Sequence, residues 1–311
     1  MGIPNPVERK PVALIAGPTA SGKTALALWL AKRRDITIIN ADSAQVYAHL
    51  PVLSAQPSQT EMKSVPHRLF GYLAGRQACS AARWAADAKD AIAETHVAGG
   101  LPVLVGGTGL YLRTLLEGIA PIPEIDADVR TTVRALETAD AYAALLKEDA
   151  ILASALNPQD DSRIKRALEV VRSTGRSIAA WREAKVGGIS GAITLYPLIL
   201  LPPRDWLYQR CNQRFEMMMA SGAIEEVEAL TALSLPADAP ILRAIGVPEI
   251  TAMLAGKISQ KEAIERGQAA TRQYAKRQYT WFGNQPPGNW PRWRKELNYS
   301  YYSKIESLFQ F

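Results

Sequence analysis

The chain has 311 residues, 48% of them apolar, enough for one large core or two smaller ones. Its 36 basic and 30 acidic residues leave a net charge of +6, which permits an acidic partner without demanding one. Two distant cysteines, three histidines without metal-ligand spacing and no apolar run of membrane-spanning length exclude a disulfide framework, a zinc site and a membrane-spanning protein. With no secretory leader pattern, a soluble cytoplasmic protein is expected.

The first predicted element is the apolar strand Pro11-Val12-Ala13-Leu14-Ile15-Ala16, and the helical pattern Ala25–Lys32 follows closely. Between them lies Gly17-Pro18-Thr19-Ala20-Ser21-Gly22-Lys23-Thr24. Strand, glycine loop and a Lys-Thr pair opening a helix are the P-loop in its required context. Successive backbone N–H groups and the helix N-terminus point at phosphate oxygens, Lys23 adds a mobile cation, and the Thr24 hydroxyl is placed to hold Mg²⁺. The segment is predicted to bind a polyphosphate, and nothing in it says which one.

A second strand, Ile36–Ile39, leads into Asn40-Ala41-Asp42-Ser43-Ala44-Gln45-Val46-Tyr47. Asp42 fits three roles: Mg²⁺ ligand, general base or helix N-cap. The strand before it is less apolar than one that delivers a Walker-B aspartate, which favours the base. Ser80 to Ala98 has helical periodicity, and Leu101–Val105 is the next strand. Gly106-Gly107-Thr108-Gly109 then allow close approach of a ligand, or form a tight turn in which Thr108 caps a helix. This alternation predicts a parallel sheet flanked by helices, with ligands at the C-terminal ends of its strands.

After Pro121-Ile122-Pro123 the chain reads as helices with charged faces from about 125 to 185, without a strand. Ile193–Leu201 returns to a buried strand. The expected organisation is an α/β core split into residues 1–124 and 192–311, interrupted by a mostly helical insertion over 125–191. From Trp206 to Phe282 the pattern is helical, with breaks near Ser234–Ala239, Gly246-Val247-Pro248 and Gly256. Arg163, Lys165, Arg166, Arg172 and Arg176 form one basic cluster, and residues from Arg266 to Lys295 form another. Each reads equally well as a solvated face or as a polyanion surface. Beyond Gln285 the chain is rich in Pro, Trp, Tyr and charge, and only partial order is expected.

In combination these segments are specific. Gly17–Thr24, Asn40–Tyr47, Pro66-His67-Arg68, Leu101–Leu112 with Glu117-Gly118, Asp161–Val170 and Thr271–Trp281 fall in one family's order. The chain resembles the tRNA dimethylallyltransferases of bacterial type over about residues 10–282. The resemblance implies a P-loop NTPase-like fold and transfer of the dimethylallyl group of dimethylallyl diphosphate to N6 of the adenosine immediately 3′ of the anticodon. The nominally nucleotide- or ATP-binding loop, Gly17, Pro18, Thr19, Ala20, Ser21, Gly22, Lys23 and Thr24, then grips an isoprenoid diphosphate with Mg²⁺ on Thr24. Asp42 is implied as base, Thr19 as a hydroxyl at the reacting centre, and Lys23 with Arg210 as stabilisers of the leaving group. Arg214, on the same helix, is the alternative to Arg210.

Reaching N6 requires an extruded base. The resemblance lines its pocket with Asp42, Ser43, Ala44, Gln45 and Thr108. It assigns tRNA contacts to Arg130, to Ser162, Arg163, Ile164, Lys165 and Arg166 in the insertion, and to Lys276 and Arg277. A cytoplasmic monomer acting on tRNA is implied. Ser54-Ala55-Gln56-Pro57, Gly71, Cys79–Trp84 and Gly283 depart from the family pattern without removing a catalytic group. The competing readings are a small-molecule kinase, with Asp42 deprotonating a hydroxyl, and a nucleotide-switched RNA-binding protein, for which no Asn-Lys-x-Asp motif is found.

Overall fold

A computed structural model describes residues 9–309. Its strands are β1 (Lys10–Ala16), β2 (Ile36–Asn40), β3 (His67–Arg68), β4 (Leu101–Gly106), β5 (Gly118–Ile119), β6 (Val186–Gly187), β7 (Ile193–Leu200) and β8 (Arg292–Trp293). The helices are α1 (Lys23–Ala31), α2 (Gln59–Ser64), α3 (Ala81–Val97), α4 (Gly109–Glu117), α5 (Ala127–Ala135), α6 (Thr138–Glu148) and α7 (Ala150–Ser154), then α8 (Asp161–Thr174), α9 (Ile178–Glu183), α10 (Arg204–Met219), α11 (Ala223–Ala232), α12 (Val247–Leu254), α13 (Gln260–Asn284) and α14 (Tyr302–Glu306). The chain forms two compact units: Leu116–Ile189, and the residues on either side of that segment.

The flanking unit is built on a six-stranded sheet of order β3-β2-β4-β1-β7-β8, and every neighbouring pair is parallel. Strands covered on both faces should read as unbroken apolar runs. β1 does so, with Val12 to Ala16 fully buried. Ala16 lies in register with Gly106 on β4 and Ile199 on β7, so the loops that follow three strands emerge side by side. Leu26, Ala27, Trp29 and Leu30 seat α1 on the sheet, and α3, capped by Ser80, buries Trp84 completely.

Residues 286–309 fold onto the sheet, where only partial order was expected. β8 extends the sheet through Ile199 opposite Arg292, and Trp293, Tyr302, Ile305 and Phe309 join the core cluster that contains Trp29. The Tyr302 ring meets Trp29 edge-on at 5.5 Å. Tyr302, Ile305 and Phe309 recur at helical spacing, a signal too short to stand out against the polar residues around it.

The Leu116–Ile189 unit has its own core, centred on Val133, Leu145, Ile164, Leu168 and Val170. α8 starts at Asp160, whose carboxylate accepts from Arg163 N, and stops at Gly175 with φ +66°. A strand pair that sequence reasoning missed, β5 with β6, runs antiparallel. Two-residue strands containing glycine carry no periodic pattern. A Cβ at Gly118 (φ +89°) would lie 2.3 Å from the Val186 carbonyl oxygen, which explains glycine there. Among the described residues no helix is long and apolar enough to cross a membrane.

Candidate active site

The P-loop begins where β1 runs out of apolar residues. Gly17 has φ +149°, and a Cβ there would lie 2.4 Å from the Leu200 carbonyl oxygen, so the close approach of the loop to β7 requires glycine. Gly22 (φ +94°) turns the chain into α1. Lys23 Nζ donates to the Pro18 carbonyl at 2.8 Å. Burial brings its pKa down to about 8, opposed by the charge of Asp42. Ser21 Oγ is buried in the loop without a protein partner. A folded-back lysine and a buried hydroxyl without a protein partner give the loop polar groups that a ligand could satisfy.

Asp42 follows β2. Asn40 Oδ1 accepts from Asp42 N at 2.8 Å, while Asn40 Nδ2 donates to the carbonyls of Asp42 (3.0 Å) and Leu69 (2.9 Å). The Asp42 carboxylate accepts from Ala44 N at 3.0 Å. The residues after it form turns and no helix, so the helix N-cap reading of Asp42 is excluded. Thr108 stands just before α4, its carbonyl accepting from Leu112 N at 3.3 Å. Its hydroxyl accepts from Ser43 N at 2.9 Å and donates to Ser43 Oγ at 3.2 Å, tying the end of β4 to the end of β2. The Tyr274 phenol lies close to both hydroxyls, and burial beside Asp42 pushes its pKa well up.

Gln278, on α13, is a site residue that sequence reasoning quoted only as part of a motif. Buried at 5% exposure, it accepts from Thr19 N at 2.8 Å and donates to the Gly107 carbonyl at 2.9 Å. One amide thus joins the P-loop to the glycine turn after β4. The two candidate arginines of α10 reach the same loop differently. Arg214 donates to the Thr19 hydroxyl, whereas Arg210 Nε donates to the Ala20 carbonyl at 3.0 Å and its guanidinium lies 4.7 Å above the Trp206 ring.

Two cavities adjoin here. One, about 420 Å³, is lined by Lys23, Thr24, Gln45, Gln56 and Arg210. The other, about 370 Å³, is walled by Tyr47, Tyr111, Phe215, Ile241 and Tyr274 with Ser43, Ala44, Arg243 and Arg277. Thr19, Asp42, Ser54 and Arg214 line both. The stretch Pro240–Ile245 was another omission, because Gly246-Val247-Pro248 was read only as a helix break. Both free cysteines, Cys79 and the buried Cys211, face the aromatic cavity, and burial pushes the Cys211 thiol up. Lys276 and Arg277 border an open groove with Trp281.

The remaining candidates lie in the helical unit. Arg163 is 75% exposed beside Asp160. Lys165 is drawn onto Asp161 at 2.8 Å and the Arg134 carbonyl at 3.3 Å, and Arg166 shares buried Glu169 with Arg134. Ser162 is exposed, and Arg130 Nε is buried without a partner. Ile164, in the same predicted tRNA-contacting run, is fully buried, because it supplies the apolar stripe that seats α8.

The family model for IPP transferase matches residues 45–285. The chain is 59% identical over 288 residues to a tRNA dimethylallyltransferase of Sphingopyxis alaskensis, covering 92% of this chain and 94% of that one. It is 55% identical to that of Erythrobacter litoralis, covering 98% and 97%. Among solved structures, the tRNA isopentenylpyrophosphate transferase of Bacillus halodurans superposes with a TM-score of 0.70 at 32% identity, over 98% of this chain and 95% of that one. A eukaryotic dimethylallyltransferase acting on tRNA gives a TM-score of 0.77 at 27% identity, over 88% and 69%. A P-loop cavity joined to an aromatic one and this likeness along nearly the whole length agree: the chain belongs to the tRNA dimethylallyltransferase family of prenyltransferases.

Proposed function

We propose that this enzyme transfers the dimethylallyl group of dimethylallyl diphosphate to N6 of the adenosine immediately 3′ of a tRNA anticodon, releasing diphosphate. The observation that carries the reading is the junction of the two cavities at Thr19, Asp42 and Arg214. A diphosphate in the P-loop cavity presents its allylic carbon to a base in the aromatic one. The C–O bond to diphosphate breaks, the N6–C bond forms, and Asp42 takes the N6 proton. The N6 lone pair is delocalised into the ring, so removing its proton during attack is where a positioned carboxylate helps most. Charge growing on the leaving group meets the loop N–H groups, Lys23 and an arginine. Arg214, already on Thr19, is the nearer candidate, with Arg210 on the rim.

Mg²⁺ suits this site. It is held by few protein ligands together with substrate phosphates, and the site offers the Thr24 hydroxyl, while no cluster of three acidic, His or Cys residues among those described could cage a metal by itself. When bound, Mg²⁺ supplies charge neutralisation on the diphosphate. Aromatic walls suit an extruded adenine, and Arg163, Lys276 and Arg277 suit phosphates of the stem-loop. The reading includes a cytoplasmic monomer, since a single copy lines both cavities.

Incubation with labelled dimethylallyl diphosphate and a tRNA unmodified after its anticodon is expected to place label on N6 of that adenosine. Transfer of the ATP γ-phosphate to a small acceptor, with no label in tRNA, would replace this reading by the kinase.

Lys23 gives the loop a pH signature. Its pKa in this fold, about 8, lies below the ordinary 10.5, so the fold disfavours its charged form; this destabilisation is complete below pH 8 and relieved as pH rises toward 10.5. A bound diphosphate favours the ammonium and retains its proton. Binding of an isoprenoid diphosphate should therefore take up close to one proton at pH 9 and almost none through Lys23 at pH 7, with affinity falling up to about tenfold per pH unit above 8. Calorimetry in buffers of different ionisation enthalpy measures this. Equal uptake at both pH values would show that Lys23 keeps its proton in the free loop.

A further inference from the structure

Ser54 lies on the wall common to both cavities, on a turn-rich segment, Leu50–Gln56, that is tethered from two directions. From the Asp42 side, Gln45 Nε2 donates to the carbonyls of Ser54 (3.0 Å) and Ala55 (2.8 Å). From the opposite side, Glu226 on α11 accepts from Val52 N at 2.5 Å and from Leu53 N at 3.0 Å, one carboxylate oxygen for each amide. These partners are 174 and 173 residues apart in sequence, so the bonds are no local turn.

The surroundings are shaped to receive the loop. Leu53 packs onto Gly246 (φ +98°), where a Cβ would lie 2.5 Å from Leu53 Cδ2 and would displace that side chain. Ser54 Oγ donates to the Leu50 carbonyl at 2.5 Å, and Ala55 sits at φ +54°. Burial pushes the Glu226 carboxyl up, and the two amide donors oppose that shift. A half-buried carboxylate spent on two backbone amides of a cavity wall suggests that the position of the wall matters.

We infer that Glu226 is a positioning residue for the transfer reaction: by clamping Val52 and Leu53 it fixes the segment through Ser54 and thereby sets the separation between the allylic diphosphate and the attacking base. The inference rests on the function proposed above. Misplacing reacting atoms by about 1 Å can cost roughly a hundredfold in rate without abolishing binding.

Glu226→Gln tests it, because the amide keeps one acceptor but sets an NH₂ donor against the second backbone N–H. In this variant, exchange of the Val52 and Leu53 amides should quicken about tenfold or more, and kcat at saturation of both substrates should fall about tenfold to a hundredfold. The Kd for tRNA should stay within about twofold of wild type. Glu226→Asp, which keeps both oxygens, should recover part of the rate. A kcat within twofold of wild type in folded Glu226→Gln overturns the inference, as does a fall in kcat with unchanged exchange at Val52 and Leu53. Rapid exchange of these two amides in the wild-type enzyme overturns it without any variant. A wild type that transfers no label overturns the functional reading instead, and the exchange measurement still decides the clamp.

Discussion

Asp42→Asn is expected to slow dimethylallyl transfer by about 10³-fold while leaving tRNA affinity within about twofold, the loss typical of removing a general base. The substitution isolates the chemistry because the side-chain oxygen that accepts from Ala44 N survives in the amide, and Asn40 continues to hold the Asp42 backbone. What disappears is the proton-accepting capacity that the proposed reaction assigns to Asp42. Single-turnover transfer with labelled diphosphate, alongside filter binding of tRNA, separates the two quantities. Unimpaired transfer would remove Asp42 from catalysis. Equal losses of binding, rate and melting temperature would make it a structural anchor of the turn after β2.

The largest loss of stability is expected from Gly106→Ala. A Cβ at this position would lie 2.1 Å from both the carbonyl carbon and oxygen of Ala41 and 2.6 Å from its Cα. These are backbone atoms at the ends of two buried, paired strands, with no flexible side chain to yield. Relief requires β2 and β4 to separate where Asp42 and Thr108 emerge, at a cost of about 3 kcal/mol or more. The melting temperature should drop by about 6 °C or more, read by calorimetry or circular dichroism. Gly283→Ala is the control. Nothing lies within 4 Å of its Cβ position inside α13, and helix propensity alone should leave stability unchanged or raise it by up to about 1 kcal/mol. Equal melting temperatures for Gly106→Ala and wild type would mean that the strand ends are slack.

Much of this was legible before any coordinates. β1, the P-loop and the start of α1 form one continuous stretch in which apolar run, glycines and Lys-Thr each carry a strong local preference, so the reading needed no tertiary information. Asp42 was found for a related reason, since a loop after a parallel strand must open at the C-terminal edge of the sheet. The choice among its roles was not legible, because whether a helix follows depends on the pairing of Ser43 with Thr108, 65 residues away. Gln278 and Glu226 were illegible for the same reason. Each is one polar residue on an amphipathic helix, and only the fold shows that it faces a backbone amide of a distant loop instead of water. Ile164 shows the converse. A motif transferred as a block carried along a residue whose helical phase points inward.

The strand order has a consequence for how the enzyme is made. β1 lies between β4 and β7, the P-loop leans on Leu200, and Thr19 N waits for the side chain of Gln278. The loop is synthesised 259 residues before the Gln278 that supports Thr19, with β8 and the α14 face later still. Non-local pairings of this kind form slowly and late. A partly synthesised chain that lacks α13 therefore carries the loop sequence without the support that fixes Thr19, and the site is completed only once α13 has been added.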